Sequence, residues 1–170
     1  MYLKIIGGVQ IAVSSYLLGT KWASTLKYRV DDIREFEQIL EQLENEISFY
    51  SNILEEAFFK ISKKTSKRIS NVLLAMSKNL KAMPSNVAWE MAIKSNLKDI
   101  YLKKEDIEIV LSLSNLLGMS DVNGQIYNIK NIIARLKQQE KKAEEIRQKN
   151  EALYKNLSIL VGVAIIILLL

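Results

Sequence analysis

Apolar residues recur every three or four positions along most of the chain, which is the spacing of one helix face. Ile33, Phe36, Leu40, Leu43, Ile47, Tyr50, Leu54 and Ala57 form a heptad-like seam, with Glu37, Glu41, Glu44 and Glu46 off it. Asp31 and Asp32 suit the start of that helix, where the macrodipole favours negative charge. Whether the seam belongs to one helix or two stays open around Ser51-Asn52. Ile69, Val72, Leu73, Met76 and Leu80 predict a second amphipathic helix over Ser66–Leu80. After Pro84, Ser85 can cap a helix carrying Trp89, Ile93, Leu97 and Ile100. A further helix runs from about Lys103 to Leu117 and stops at Gly118, a residue type suited to a helix end. The last helix starts near a Ser120 N-cap and carries Val122, Ile126, Ile129, Ile133 and Leu136, then Ala143, Ile146, Leu153 and Leu157. It has no Pro and a single Gly, so an unbroken helix to the C-terminus is expected; its stripe thins through "KQQEKKAEEIRQKNEA". No stretch reads better as strand. The fold class is therefore all-α: an antiparallel helical bundle with short connections.

The two ends break this amphipathic pattern. "LSILVGVAIIILLL", Leu157 to Leu170, is apolar on every face. Counted from Leu153 it is about 27 Å long as a helix, near the roughly 30 Å of a bilayer core. Tyr154 and Lys155 then fall at the headgroup level. A buried core helix is the soluble alternative, but such a helix keeps a polar stripe. At the other end Ile5–Thr20 is uncharged, bracketed by Lys4 and Lys21, with Tyr2 and Trp22 as interface anchors. A cleaved signal peptide has a similar pattern, but no clean small-residue cleavage site follows. Gly8, Ala12, Ser15 and Gly19 share one face, a small-residue stripe that lets a second membrane helix come close. That stripe is expected to pack on the C-terminal helix near Gly162, although membrane helices are also rich in Gly and Ser generally. The expected organisation is residues 1–23 as a transmembrane helix, 24–152 as a cytosolic bundle, and 153–170 as a second transmembrane helix.

Charge sets the expected orientation. All but Lys4 of the 24 basic residues, and all 19 acidic ones, lie between Lys21 and Lys155. Lys21, Lys27, Arg29 and Arg34 flank one span; Lys141, Lys142, Arg147, Lys149 and Lys155 flank the other. The positive-inside rule places the middle in the cytoplasm. The same clustering accounts for most of the sequence pI of about 9.3, so nucleic-acid binding need not be invoked.

Candidate chemistry is sparse. The chain has no Cys and no His, which removes thiolate and imidazole catalysis and their metal sites. No Gly-rich phosphate loop occurs. The acidic pairs Glu55-Glu56 and Glu144-Glu145 are adjacent on helices and diverge by about 100°, so neither converges on a substrate. A lipid-active enzyme would need convergent polar residues that the sequence does not offer. No enzyme activity, cofactor or metal is expected. Trp89, beside Glu90, is either a partner hot spot or core packing. Gly118, Ser120 and Asp121 form a helix–helix corner that cap chemistry explains, and Gln125, one turn on, can brace it.

The segments "LEQLENEISFY", "AWE" at Ala88–Glu90, "LLGMSDVNGQ" at Leu116–Gln125 and "KNEALYKNLSILVGVAIIILLL" to the end together resemble the stage III sporulation protein AB family of endospore-forming Firmicutes. Gly118, Ser120, Asp121 and Gln125 match the family's corner motif. Leu113 and Ser114 stand where Phe-Gly is usual, and Ser51–Ile53 where a Thr-Pro turn is usual. The resemblance implies a membrane-anchored component of the mother-cell channel, or secretion-like apparatus, that sustains the forespore. It further implies a bundle similar to the cytoplasmic domains of the platform proteins of type II secretion and type IV pilus systems. Its implied partners are other stage III sporulation proteins, a secretion-type ATPase-like protein and membrane lipid, with homo-oligomerisation open. A generic membrane-tethered coiled-coil scaffold of division or signalling is the alternative.

Overall fold

The computed structural model describes residues 2–47, 54–117 and 122–169, and all regular structure among them is helical. The order is α1 (Tyr2–Asn45), α2 (Leu54–Ser62), α3 (Lys67–Asn79), α4 (Ser85–Ser95), α5 (Lys104–Leu111), a 3₁₀ turn (Ser112–Asn115) and α6 (Val122–Leu169). These residues fall into two compact units: Met1–Tyr28 with Lys142–Leu170, and Arg29–Lys141.

The second unit is the bundle. Its four short helices have 8 to 13 residues each, too few to persist alone in water. Burial of one apolar face holds each of them. From α1 come Val30, Ile33, Phe36, Ile39, Leu40 and Leu43, so Ile33, Phe36, Leu40 and Leu43 of the heptad-like seam are core as expected, while Ile47 and Leu54 are half-buried. Facing residues are Phe58 and Ile61 from α2, Ile69, Val72, Leu73 and Met76 from α3, and Ile93 from α4. Ile129, Ile132, Ile133 and Leu136 add the buried face of α6. Trp89 is fully buried, stacks on Phe58 at 5.6 Å between ring centroids, and donates its indole N–H to the Val110 carbonyl at 2.8 Å.

Three boundary expectations need correction. Asp31 and Asp32 do not start a helix: α1 runs through them, and Asp32 is buried in mid-helix among tertiary donors. Tertiary hydrogen bonding overrides the local preference of Asp for a first turn. Ser85 is the first residue of α4, not its cap; its hydroxyl donates to the Leu117 carbonyl at 2.8 Å. Glu37 and Glu46 are buried, not on the outer face. The α-helical seam ends at Asn45 and resumes at Leu54; the Ser51–Ile53 segment lies outside the described residues. So do Gly118, Ser120 and Asp121. α6 is unbroken from Val122 to Leu169.

Candidate functional site

The first unit brings the two ends of the chain together through small residues. A Cβ at Gly19 would lie 2.5 Å from Ser158 Cβ and 3.1 Å from the Tyr154 carbonyl oxygen, so only glycine fits there. A Cβ at Gly162 would lie 2.9 Å from Ser15 Cβ and 4.0 Å from Ala12 Cα. At Gly8 the approach is looser, 3.8 Å to Ile166 Cγ2. Close contact of this kind gains dispersion energy that larger side chains would forfeit by holding the backbones apart. Around this seam the large apolar side chains point outward: Val9, Val13, Leu17 and Trp22 on α1, and Leu157, Leu160, Val161 and Ile167 on α6, are each half or more exposed. One helix among the described residues, Asn123–Ile167, contains an 18-residue window apolar enough to cross a membrane, and only 6% of that window is buried.

The basic residues near this unit divide into two groups. Lys21, Lys27, Lys141, Lys142 and Lys149 are exposed. Arg147 reaches Glu144 at 2.6 Å, and Lys155 reaches Glu151 at 2.8 Å. The hydrogen bond from Lys155 holds the Glu151 carboxyl below its ordinary range, against partial burial, with Lys155, Arg147 and Lys27 adding charge. Arg29 does not belong with the lipid-facing set. Its guanidinium is buried and grips Asp106 with two bonds, Nε to Oδ2 at 2.8 Å and Nη2 to Oδ1 at 3.0 Å. Burying the charge is tolerable because the fork and the carboxylate satisfy each other.

That pair is part of a network the sequence did not disclose. Asp106 also accepts the Lys103 backbone N–H at 2.9 Å, closing the start of α5. Asp32 accepts from Arg68 Nη2 at 2.7 Å and from the Tyr101 backbone N–H at 2.7 Å. Glu35 accepts the Ser66 backbone N–H at the start of α3. Arg68 sits over the Tyr101 ring at 5.5 Å. Thus α1 fastens the α2–α3 and α4–α5 connections through carboxylates and one guanidinium. The only sequence signal was acidic residues set beside seam positions of a helix.

Glu37 is a different case. Its Oε1 is buried without a hydrogen bond. Burial, then the charges of Glu140 and Glu41, push its carboxyl up to about 7, while Lys137 and Arg34 pull it down. Arg34 pairs with Glu140, and Lys137 with Glu41 at 3.5 Å.

Of the remaining expected site residues, Trp89 is core and offers no surface to a partner, while Gln125 is buried at the start of α6. Glu55 pairs with Lys81 at 3.2 Å. Among the described residues no group of three or more Asp or Glu is placed to hold a metal ion.

The described residues define an all-helical protein, a small packed bundle and a glycine-seamed helix pair, with one helix long and apolar enough to cross a bilayer. Comparison with known proteins gives the family: the chain belongs to the stage III sporulation protein AB family, whose model matches residues 4–170. Stage III sporulation protein AB of Bacillus subtilis (strain 168) is 31% identical over 170 residues, covering 99% of each chain. A solved structure of a stage III sporulation protein AB superposes with a TM-score of 0.69 at 27% identity, over 72% of this chain and 98% of that one. The resemblance drawn from the corner and tail motifs is therefore correct at family level.

Proposed function

We propose that this protein is a non-enzymatic docking component of the mother-cell sporulation apparatus, held in the membrane at both ends with its bundle in the cytoplasm. The observation that carries the reading is the outward-facing apolar surface of the Met1–Tyr28 and Lys142–Leu170 unit in a chain matched to the sporulation family almost end to end. In water that surface would be costly; in hydrocarbon it is the expected face. On this reading residues 1–23 and 153–170 are the two spans and 24–152 the cytosolic part. Lys21, Lys27, Lys141, Lys142 and Lys149 lie at the cytoplasmic leaflet. Two anchors restrict rotation of the bundle, which suits a platform better than a free tether. The docking end for other stage III proteins, or for a secretion-type ATPase-like protein, is on this reading the one carrying the Pro84 turn between α3 and α4. The compactness of Arg29–Lys141 disfavours the rod-like scaffold alternative.

The absence of native cysteine makes the test direct. Single thiols are introduced at Lys78 in the bundle and at Val161 in the second span, and sporulating cells are treated with a membrane-impermeant maleimide. The expected result is Lys78→Cys labelling only after permeabilisation, and no Val161→Cys labelling. Labelling of Lys78→Cys in intact cells would reverse the orientation, and recovery of the full chain in the soluble fraction would end the reading.

A further inference from the structure

The two connections fastened to α1 differ in charge from the rest of the bundle. The α2–α3 connection and its flanks carry Lys63, Lys64 and Lys67, and the α4–α5 connection carries Lys98, Lys103 and Lys104; all six are exposed. None of the six is in an ion pair among the described residues. The exposed acids beside them are Asp99, Glu105 and Glu108, and the half-buried Asp31 and Glu35 line a depression with Lys64. Lys67, Arg68, Asn71, Lys98, Asp99 and Tyr101 line one open depression of about 330 Å³ that joins the two connections. Arg68 is engaged by Asp32 there, so the other cations of the lining are Lys67 and Lys98, with Asp99 between Lys98 and Tyr101 in sequence. At the other end of α3, by contrast, Lys81 is paired with Glu55.

Position adds a second, independent argument. Both connections are tied to α1 between Arg29 and Glu35, where the chain enters the bundle unit: Tyr101 N–H to Asp32, Ser66 N–H to Glu35, and Asp106 to Arg29. α6 meets the same stretch through Glu140 and Arg34, one residue before the chain leaves that unit. These lysines therefore lie at the end of the bundle unit where α1 enters it and α6 leaves it. A cationic surface at that end has one natural complement, the phosphate-rich face of an anionic leaflet, to which each lysine near the surface adds attraction that decays within a Debye length.

We propose that Lys63, Lys64, Lys67, Lys98, Lys103 and Lys104 form a second lipid contact, made by the loops of the bundle, that seats this end against anionic headgroups. The inference rests on the two-anchor reading, and its test separates the two. Full-length protein is incorporated into nanodiscs of phosphatidylcholine alone or with phosphatidylglycerol. Single fluorophores are placed at Leu97→Cys, beside the patch, at Val87→Cys on α4, and at Val161→Cys in the span, with a quencher on the headgroups.

The expected result is Leu97→Cys quenching that rises in phosphatidylglycerol discs, falls with salt, and is lost in K64E/K67E/K98E/K103E. The neutral variant K64Q/K67Q/K98Q/K103Q lies between, and K78E leaves the signal unchanged. Circular dichroism checks that each variant stays folded; these side chains are exposed. Equal Leu97→Cys quenching in both lipids, or quenching that survives the quadruple reversal, overturns the loop contact while Val161→Cys buried in hydrocarbon keeps the anchors. A Val161→Cys label exposed to water removes the anchors, and the inference with them.

Discussion

Replacing Glu37 by Gln tests a buried carboxyl with one unsatisfied oxygen. Glu37 is 7% exposed, and its Oε1 has no hydrogen-bond partner. Burial and the neighbouring Glu140 and Glu41 raise its carboxyl from 4.5 to about 7. The folded state then keeps a proton that the unfolded chain releases at lower pH. Between those two values the native state binds more protons, so unfolding becomes easier as pH rises. A shift of this size corresponds to an upper limit of about 3 kcal/mol of stability present below pH ~4.5 and lost above pH ~7, at about 1.4 kcal/mol per unit. Glutamine keeps the shape of the protonated acid and cannot ionise. Glu37→Gln is therefore expected to match the parent near pH 4.5 and to be more stable near pH 8, by roughly 1–3 kcal/mol once relaxation is allowed for. Residues Arg29–Lys141 form a compact unit, so a fragment that spans it, such as residues 24–152, is the sample, with circular dichroism to check that it folds. Urea unfolding of parent and variant at several pH values, followed by helical circular dichroism, measures the difference. A variant–parent gap that is constant across pH, or that closes as pH rises, would refute the assignment of Glu37 as the group responsible.

Three further outcomes follow from the same structure. Arg29→Ala strands the buried Asp106 charge and should cost about 3–5 kcal/mol in urea unfolding, whereas the paired change R29M/D106L should recover most of it. Equal loss in the single and paired variants would show that packing, not charge, is at stake. Trp89→Ala should cost about 3–5 kcal/mol, and Trp89→Phe less, mainly the hydrogen bond to Val110, at about 1 kcal/mol; a neutral Trp89→Ala would contradict its place in the core. In membranes, the pair Ser15→Cys and Gly162→Cys should crosslink under mild oxidation, and adding Gly19→Leu should weaken that crosslink because Ser158 occupies the space; no crosslink would contradict the glycine seam.

Much of the architecture was legible because apolar periodicity reports directly on burial. Ile33, Phe36, Leu40 and Leu43 are core as their spacing implied, and α3 runs over nearly the span that Ile69, Val72, Leu73 and Met76 marked. Local rules failed where a polar residue had a distant partner. Asp32 looked like a helix-start residue because its donors, Arg68 and the Tyr101 N–H, are 36 and 69 positions away. Arg29 looked like a lipid-facing cation because Asp106 is 77 positions away. Ser85 looked like a cap because the Leu117 carbonyl that takes its proton is 32 positions away. Periodicity sees one helix at a time, and these residues serve two.

The ties from α1 also bear on the order in which the protein can be made. Synthesis delivers α1 first, with Arg29, Asp32 and Glu35 already set on its inner side. Glu35 waits for Ser66, Asp32 for Arg68 and then Tyr101, and Arg29 for Asp106. Until the ribosome has released that last aspartate, the nascent helix carries a cation on the face it must bury, and closing early would desolvate it alone. Complete closure of these ties therefore requires residues as far along as Asp106 to have been made.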